Sequence, residues 1–207
     1  CVATNELLSE RLDVQRANNK CRFESGYIAG DITKESTRQR LYDEIELWRN
    51  EQGLQQLDVL FATPPCQGMS TANYKKTDDE QARNSLVVQA ISIIQHIQPK
   101  IFVFENVRAF MKTICTDISG EYITIEESIK RNLADKYNIE YKIINFKDYG
   151  VPSSRPRTIV IGTSKELRNV APFNLFPIRR EEITLREAIG NMPHLDFGAK
   201  DEHDFLH

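Results

Sequence analysis

The chain has 207 residues, of which 40% are hydrophobic and 28% charged, and its net charge is −3 at pH 7 with neutral histidines. This composition is typical of a globular protein of one domain, or of one domain and part of a second. No apolar run approaches the ~20 residues of a membrane-spanning helix, and the first residues predict no signal peptide. The small negative charge argues weakly against nucleic-acid binding, but four arginines can still form a local basic surface: Arg155, Arg157, Arg179 and Arg180.

The cysteines bear on the compartment and on metal binding. Cys1, Cys21, Cys66 and Cys115 form neither a CxxC pair nor the spacing of a zinc site. Unpaired thiols favour a reducing compartment, so we expect a cytoplasmic protein. The chain begins with Cys1 rather than Met and enters apolar sequence at once. We therefore expect its natural start to lie upstream.

The first quarter of the chain predicts two short strands, each followed by a helix. Residues 2–4 are typical of the end of a strand, and residues 6–18 have a helical composition. The second strand is expected over residues 25–31, and the next helix over residues 35–49. Three apolar side chains of this helix form one stripe at helical spacing: Leu41, Ile45 and Trp48.

The middle of the chain predicts a strand, a polar loop and the clearest helix. The apolar, β-rich run 59–63 is a strand that leads into Pro64-Pro65-Cys66-Gln67. Residues 70–82 are polar and predict a mobile loop. From residue 83 to residue 98 the apolar residues recur at helical spacing, and Pro99 ends the helix.

The remaining elements complete an alternating pattern. Strands are expected over residues 101–104, 140–146 and 158–161, with a helix over residues 121–137. Strands that alternate with helices predict βαβ units, and therefore an α/β fold with a mainly parallel sheet.

The pattern breaks after about residue 165, where only residues 185–189 predict a short helix. We interpret residues 1–165 as the core and residues 166–207 as a linker into another region.

Four acidic or thiol side chains follow predicted strands: Glu6, Asp31, Cys66 and Glu105. In an open α/β sheet, ligands bind beyond the carboxyl ends of the strands, so we expect all four at one edge. Each residue alone has an ordinary interpretation. A free cysteine is more often a small buried hydrophobe, and a lone acid after a strand is more often a helix cap or a turn residue. The two prolines before Cys66 and the polar residues after it favour its exposure.

The segment 149–157 adds two guanidiniums to this set. Arg155 and Arg157 alternate at the entry to a strand, which places them on the same face. Surface arginines are usually solvated, but Pro152 and Pro156 stiffen the segment, so a fixed pair aimed at a phosphate or a base oxygen is plausible. Together, a thiol, a carboxylate and two guanidiniums can form a covalent bond to an electron-poor ring and carry out the proton transfers of the later steps.

Taken in order, these segments resemble the DNA (cytosine-5) methyltransferase family of the bacterial restriction–modification type. The matching segments are Asn5-Glu6, Gly30-Asp31-Ile32, Pro64-Pro65-Cys66-Gln67, Arg83-Asn84-Ser85-Leu86, Glu105-Asn106-Val107, and Tyr149-Gly150-Val151-Pro152 followed by Arg155 and Arg157. Several motifs in the right order are far more specific than any one of them. Residues 184–190 resemble the lead-in to the family's target-recognition region.

The resemblance implies a Rossmann-like, S-adenosylmethionine-dependent methyltransferase sheet with flanking helices, incomplete in this chain. It implies that Cys66 adds to C6 of a cytosine, after which C5 attacks the methyl group of the cofactor. Glu105 would engage the N3 edge and the exocyclic amine. Arg157 would bind the base oxygen, and Arg155 would steady the cysteine loop. Asn106 is expected to brace that loop.

The same resemblance implies the cofactor site and the partners. Glu6 would hold the ribose and Asp31 the adenine amino group, while Ile32 and Leu86 would pack against the adenine. Pro65 would bound the pocket near the methyl group. The substrate would be double-stranded DNA with the target cytosine flipped out of the stack. A restriction endonuclease is a possible functional partner.

The sequence departs from the family at several points. Ser153 stands where the family usually has Gln, and none of the nine glycines forms a Gly-x-Gly loop. That loop is expected before Cys1. The target-recognition region is missing from the sequence as well, so the recognised DNA sequence is not encoded here.

Four other functions remain open at this point. A cysteine hydrolase or amidotransferase needs a histidine beside Cys66. Thymidylate synthase chemistry usually has His after the nucleophile, where this chain has Gln67. A non-catalytic methyltransferase fold could act as a DNA-binding or regulatory module, although the retained reactive residues argue against it. A tRNA cytosine-5 methyltransferase would use the same chemistry.

The first prediction concerns the 207-residue polypeptide alone. We expect it to bind the cofactor poorly and to transfer no methyl group, because the glycine-rich loop and the target-recognition region of the family are not in its sequence. Incubation with labelled S-adenosylmethionine and DNA tests this. Measurable transfer of label by the isolated polypeptide would contradict the prediction.

Overall fold

A computed structural model describes residues 1–65 and 78–192, and within helical residues 78–85 it describes the backbone only. Eight strands and five α-helices lie in these residues. The strands are β1 (Thr4–Glu6), β2 (Tyr27–Ala29), β3 (Val59–Ala62), β4 (Ile101–Val107), β5 (Ile114–Thr116), β6 (Tyr122–Thr124), β7 (Tyr137–Asn145) and β8 (Pro156–Ser164). The helices are α1 (Ser9–Ala17), α2 (Glu35–Gln52), α3 (Asp78–Ile97), α4 (Ile125–Leu133) and α5 (Leu185–Ile189).

The main sheet has four strands in the order β3-β4-β8-β7. β3 and β4 are parallel, whereas β8 is antiparallel to both β4 and β7. Three of the four strands therefore run in one direction, and β8 runs against them. β7 and β8 are consecutive and joined by a short connection, which permits an antiparallel pair but is too short for a parallel crossover. The α/β class predicted from the alternating pattern is confirmed.

β1 and β2 form a second, two-stranded parallel sheet. The four strand ends predicted at one edge are thus divided between two hydrogen-bonded groups within the described residues. An apolar cluster between α2 and α3, formed by Ile45, Ile93 and Ile97, lies between the two groups. Val2, two residues before β1, and Leu60 of β3 both pack against this cluster, so among the described residues side-chain packing rather than backbone hydrogen bonding connects the two sheets.

The main core covers one face of the four-stranded sheet. Along β4, burial alternates strictly, so that Phe102, Phe104 and Asn106 point into the core. The apolar faces of α3 and α4 pack against this side of the sheet. Gly162 of β8 lies opposite Phe102, and a Cβ atom built on it would lie 2.1 Å from the ring. Only glycine fits this position.

Several boundaries differ from the sequence-based expectations. The helix expected over residues 121–137 begins at Ile125, because residues 122–124 pair with β5 as an antiparallel hairpin. Thr124 then caps α4 through a capping box with Glu127. α3 begins at Asp78, so the last residues of the expected polar loop are helical; the rest of that loop lies outside the described residues. The short helix predicted over residues 185–189 is confirmed.

The segment after β8 packs back onto β7. The ammonium group of Lys142 lies 3.8 Å from the ring centre of Phe173 and 4.3 Å from that of Phe176. Phe176 is buried, and the backbone N–H of Arg180 donates to the carbonyl of Asp148. The division into a core and a linker near residue 165 stays a prediction. Among the described residues, no helix is long and apolar enough to cross a bilayer.

A buried polar cluster joins the β5–β6 hairpin to α4. The carboxylate of Asp117, whose side chain is 1% exposed, accepts hydrogen bonds from Ser128, Ser119 and Asn132. Burial opposes ionisation, but these hydrogen bonds outweigh it and lower the pKa of Asp117. The carboxylate is therefore ionised at neutral pH and holds the hairpin against the first turns of α4.

The second prediction follows from this cluster. Replacing Asp117 by Asn should lower the free energy of unfolding at pH 7 by about 1–3 kcal/mol, because the donors around it lose a charged acceptor. A lowered folded-state pKa contributes stability above the unfolded value of about 3.9, and this contribution disappears as the pH falls through the folded value. The difference between wild type and Asp117→Asn should therefore vanish in acid.

Urea unfolding at several pH values measures this difference. The matched control is Asp58→Asn, because the Asp58 side chain is 63% exposed and, in the part of the chain that the structure describes, pairs only with Lys100 at the surface. We expect this control to stay within about 0.5 kcal/mol of wild type. An Asp117→Asn penalty that is equal at pH 7 and pH 3 would contradict the argument.

Candidate active site

An ion pair between Glu105 and Arg157 lies on the sheet face opposite the helical core. In the β4–β8 register Glu105 faces Ile159 and Val107 faces Arg157, so Glu105 and Arg157 are diagonal neighbours on one face. Arg157 Nε lies 3.0 Å from Glu105 Oε1, and the two side chains are 16% and 23% exposed, respectively. Glu105 was expected just after its strand but lies inside β4, because β4 extends three residues further than predicted.

Asn106 points to the other face of β4 and holds the segment that leads to Cys66. Its side chain is buried, and its Nδ2 donates to the carbonyl of Pro64 at 2.8 Å. Its Oδ1 accepts from the backbone N–H of Val107 at 2.9 Å. Both ends of the amide are satisfied, which fixes the orientation of the group. The expectation that Asn106 braces this loop agrees with these contacts.

The predicted nucleophile, Cys66, lies outside the described residues. Pro65 is described and exposed, and Pro64 is anchored to β4 next to Glu105. The parallel pairing of β3 with β4 brings these two segments together, since Ala62 faces Phe104 in the register. The structure thus pairs Glu105 with Arg157 and anchors Pro64 to Asn106, the residue after Glu105.

Arg155 is placed differently from Arg157. It precedes β8, and its backbone N–H donates to Asn145 Oδ1 at 2.8 Å while its carbonyl accepts from the N–H of Phe146. Its side chain is exposed and has no hydrogen-bond partner among the described residues. Arg157 alone of the two is fixed by a carboxylate.

A second group of predicted residues lies where β1 and β2 end. The N–H of Gly30 donates to the carbonyl of Glu6 at 2.9 Å, and Asn5 Nδ2 donates to the carbonyls of Ile28 and Gly30. Arg11 Nη1 lies 3.7 Å from Glu6 Oε2, while the carboxyl of Glu6 remains 30% exposed. Asn5 therefore ties together the two strand ends that carry Glu6 and Asp31.

Asp31 begins a tight turn before α2. Its Oδ1 accepts from both the N–H and the hydroxyl of Thr33, at 2.9 and 2.8 Å, which lowers the pKa of the carboxyl. Gly30 has φ +153°, and a Cβ there would lie 2.7 Å from Thr37 Oγ1. This position requires glycine because of both the backbone angle and the close approach. β2 ends at Ala29, two residues earlier than predicted.

The two predicted apolar residues are held on neighbouring elements. Ile32 is half-buried and packs against the cluster of Ile45, Ile93 and Ile97, whereas Leu86 is half-buried on α3. Arg38 of α2, which belongs to none of the sequence motifs, contacts both elements. Its Nη1 donates to the carbonyls of Ile32 and Thr33 and to Gln89 Oε1 of α3. No motif contains Arg38, so only its position one turn into a helix after the Gly30-Asp31-Ile32 segment could have drawn attention to it.

The described residues include no candidate metal site. No group of three His, Cys, Asp or Glu side chains that could hold a metal ion occurs among them. His96 of α3 stacks on Tyr42 of α2, with ring centres 4.0 Å apart, so it packs between the two helices.

Comparison with known proteins identifies the family. Residues 1–204 match the profile of a family described as C-5 cytosine-specific DNA methylase. The chain belongs to this family. It is 28% identical over 203 residues to the Type II methyltransferase M1.HgaI of Avibacterium volantium, covering 95% of this chain and 52% of that protein. It is 35% identical over 160 residues to M.DdeI of Desulfomicrobium norvegicum, covering 70% of this chain and 35% of that protein.

Two solved structures of methyltransferases have a similar fold. A protein described as a DNA modification methyltransferase encoded in an E. coli prophage superposes with a TM-score of 0.63 at 19% identity, covering 92% of this chain and 48% of that chain. The Dnmt2 methyltransferase of S. pombe superposes with a TM-score of 0.56 at 15% identity, covering 85% of this chain and 45% of that chain. The chain spans about half the length of M1.HgaI and of these two structures.

The third prediction concerns the contact between Asn106 and Pro64. Replacing Asn106 by Ala removes the hydrogen bonds to the half-buried Pro64 carbonyl and to the N–H of Val107, and should lower the free energy of unfolding by about 1–3 kcal/mol. Asn106→Asp retains the acceptor for Val107 but sets a carboxylate against the Pro64 carbonyl, so it should be at least as destabilising. Urea denaturation measures both effects. Asn138→Ala is the control, since Asn138 is exposed on β7. Equal losses of unfolding free energy in Asn106→Ala and Asn138→Ala would show that the contact between Asn106 and Pro64 does not stabilise the fold.

Proposed function

We propose that this chain forms the catalytic part of a DNA (cytosine-5) methyltransferase, which transfers a methyl group from S-adenosylmethionine to C5 of a flipped-out cytosine. The observation that carries the proposal is the Glu105–Arg157 ion pair beside the Asn106-anchored Pro64-Pro65 segment. Cys66 follows Pro64 by two residues, and two residues span at most about 7 Å. The proposal therefore requires the Cys66 thiol to reach the Glu105 carboxylate from this anchored segment.

The chemistry of cytosine explains why these groups are needed. C5 is a poor nucleophile until a thiolate adds to C6, which places the electron pair of the 5,6 double bond on C5. In the proposed reaction the Cys66 thiolate forms the S–C6 bond, and C5 then takes the methyl group that bound S-adenosylmethionine supplies. A base next removes the C5 proton, the double bond re-forms, and the thiolate leaves.

Glu105 and Arg157 fit the polar edge of the base. That edge presents the O2 acceptor, N3 and the exocyclic amine in a row. The guanidinium of Arg157 can donate to O2. Glu105 can accept from the exocyclic amine and can share a proton with N3, so that the ion pair opens onto the base it recognises. Because both groups are largely buried, their interactions with developing charge on the ring are stronger than in water. Arg155 would steady the cysteine loop.

The residues at the ends of β1 and β2 fit an adenosyl group. The partly exposed carboxyl of Glu6 can accept from the ribose hydroxyls, and the ionised carboxyl of Asp31 can accept from the adenine amine through Oδ2, which has no partner among the described residues. Ile32 and Leu86 offer apolar contacts for the adenine ring, and Pro65 would bound the pocket near the methyl group. These residues would hold S-adenosylmethionine.

Double-stranded DNA is the proposed partner, with the target cytosine rotated out of the stack. The names of M1.HgaI and M.DdeI as Type II methyltransferases support DNA over RNA and make a partner restriction endonuclease a reasonable proposal. The cytoplasm is the proposed compartment. A tRNA substrate and a non-catalytic DNA-binding role are the alternatives, and the likeness to S. pombe Dnmt2 favours neither, since at 15% identity it concerns the fold alone.

The fourth prediction tests the proposed reaction in the intact protein. With S-adenosylmethionine and duplex DNA carrying 5-fluorocytosine at the target position, C5 has no proton to lose after methyl transfer, so the Cys66 bond to C6 should persist. We expect a protein–DNA adduct that resists denaturation and migrates as one species on a denaturing gel.

Cys66→Ala should abolish this adduct, while Cys1→Ala, at an exposed cysteine outside the site, should retain it. An adduct that survives in Cys66→Ala would exclude this nucleophile. An adduct with 5-fluorocytosine RNA but not with DNA would move the substrate to tRNA. No adduct with either would favour the non-catalytic role.

A further inference from the structure

Arg38 connects two elements that carry predicted cofactor residues. A single nitrogen, Nη1, lies 3.0 Å from the carbonyl oxygen of Ile32, 2.7 Å from that of Thr33 and 3.0 Å from Gln89 Oε1. The first two acceptors belong to the loop between β2 and α2, and the third belongs to α3. One guanidinium therefore closes the gap between this loop and a helix more than fifty residues away in the sequence.

The position of Arg38 is not explained by the helix that carries it. Arg38 lies in the first turn of α2, where the helix dipole disfavours a cation. Two successive carbonyls and an amide oxygen converge on its nitrogen, and hydrogen bonds from a charged donor are shorter and stronger than neutral ones. The acceptors, rather than the helix, set the place of this side chain.

The connected segments are those expected to hold the adenine. Ile32 is itself a predicted adenine contact, and it follows Asp31, the predicted acceptor for the adenine amine. Leu86 lies three residues before Gln89, so both are on the same side of α3. The Arg38 contacts thus fix the separation between Asp31-Ile32 on one side and Leu86 on the other.

We propose that Arg38 is a positioning residue for the cofactor site, which holds the Asp31–Thr33 turn against α3 at the spacing that an adenine ring requires. Arg38 acts through backbone carbonyls and Gln89, without contact to the cofactor. This inference rests on the proposed function, because it presupposes that S-adenosylmethionine binds between these elements.

The fifth prediction measures cofactor affinity in the intact protein by calorimetry with S-adenosylhomocysteine, together with steady-state kinetics. Arg38→Ala should weaken S-adenosylhomocysteine binding and raise the cofactor KM by about tenfold, because the turn loses its tie to α3. The kcat at saturating cofactor and the KM for DNA should stay within about twofold of wild type, because the base-binding groups on β4 and β8 are untouched.

Two further variants separate positioning from general support of the fold. Arg38→Lys should restore most of the affinity, because one ammonium nitrogen carries three hydrogens for the three acceptors. Gln89→Ala removes only the contact to α3 and should weaken binding by about threefold, with a combined effect in Arg38→Ala/Gln89→Ala smaller than the product of the single effects. Arg22→Ala is the matched control, since Arg22 is exposed and lies over Phe23 away from these contacts.

The outcomes are distinct. Wild-type affinity in both Arg38→Ala and Gln89→Ala would overturn the inference while leaving the proposed function intact. A fall in kcat and a rise in both KM values in Arg38→Ala, without rescue by Lys, would assign Arg38 to the fold as a whole and also overturn it. If Arg38→Ala does not fold, unchanged affinity in Gln89→Ala overturns the inference on its own. A wild-type protein that binds no S-adenosylhomocysteine would overturn the proposed function first, and this inference with it.

Discussion

The pairing of β4 with β8 is the constraint on which the candidate active site depends. This register places Gly162 opposite Phe102, where no side chain larger than hydrogen fits, and it sets Glu105 and Arg157 on one face. A slip of one residue would move Glu105 into the helical core and expel Phe104 from it. The packing that stabilises the core therefore also fixes the ion pair, and no additional contact is needed to hold β4 and β8 in this register.

Much of the fold could be predicted from local patterns. Apolar runs located β3, β4 and β8, and helical spacing located α2 and α3, because each of these elements buries a regular face. The β5–β6 hairpin was missed since Tyr122-Ile123-Thr124 is short and stands directly before an amphipathic helix. Only its pairing with residues 114–116 makes it a strand. The direction of β8 was likewise a matter of tertiary pairing, which composition does not encode.

The site was predictable in its residue types and less so in its contacts. The order of residues in Glu105-Asn106-Val107 indicates that neighbouring side chains point to opposite faces of a strand. It does not indicate that Glu105 pairs with Arg157, or that Asn106 donates a hydrogen bond to the Pro64 carbonyl. Arg38 carries no motif at all, since its acceptors are two backbone carbonyls and a distant glutamine. Such contacts become visible only when the turn after β2 and the helix α3 are seen side by side.

The division of the strands into two groups gives α3 a particular importance. Glu105 and Arg157, the groups proposed to face the base, belong to β4 and β8. Glu6 and Asp31 lie at the ends of β1 and β2, and within the described residues no strand hydrogen bonds join the two sheets. α3 contacts both groups. Its residues Ile93 and Ile97 pack in the cluster shared with α2 and Val2, while Val87 and Ile91 pack against the four-stranded sheet.

Further contacts between α2 and α3 reinforce this connection: Tyr42 stacks on His96, and Arg49 Nη2 donates to the carbonyl of Ile97 at 3.1 Å. Methyl transfer requires the donor and the acceptor carbon to be held at bonding distance, a condition that rigid positioning fulfils and independent motion of the two groups would defeat. The packing of α2 on α3 is thus the element of this chain that sets the proposed cofactor residues in a fixed relation to the proposed base-binding residues.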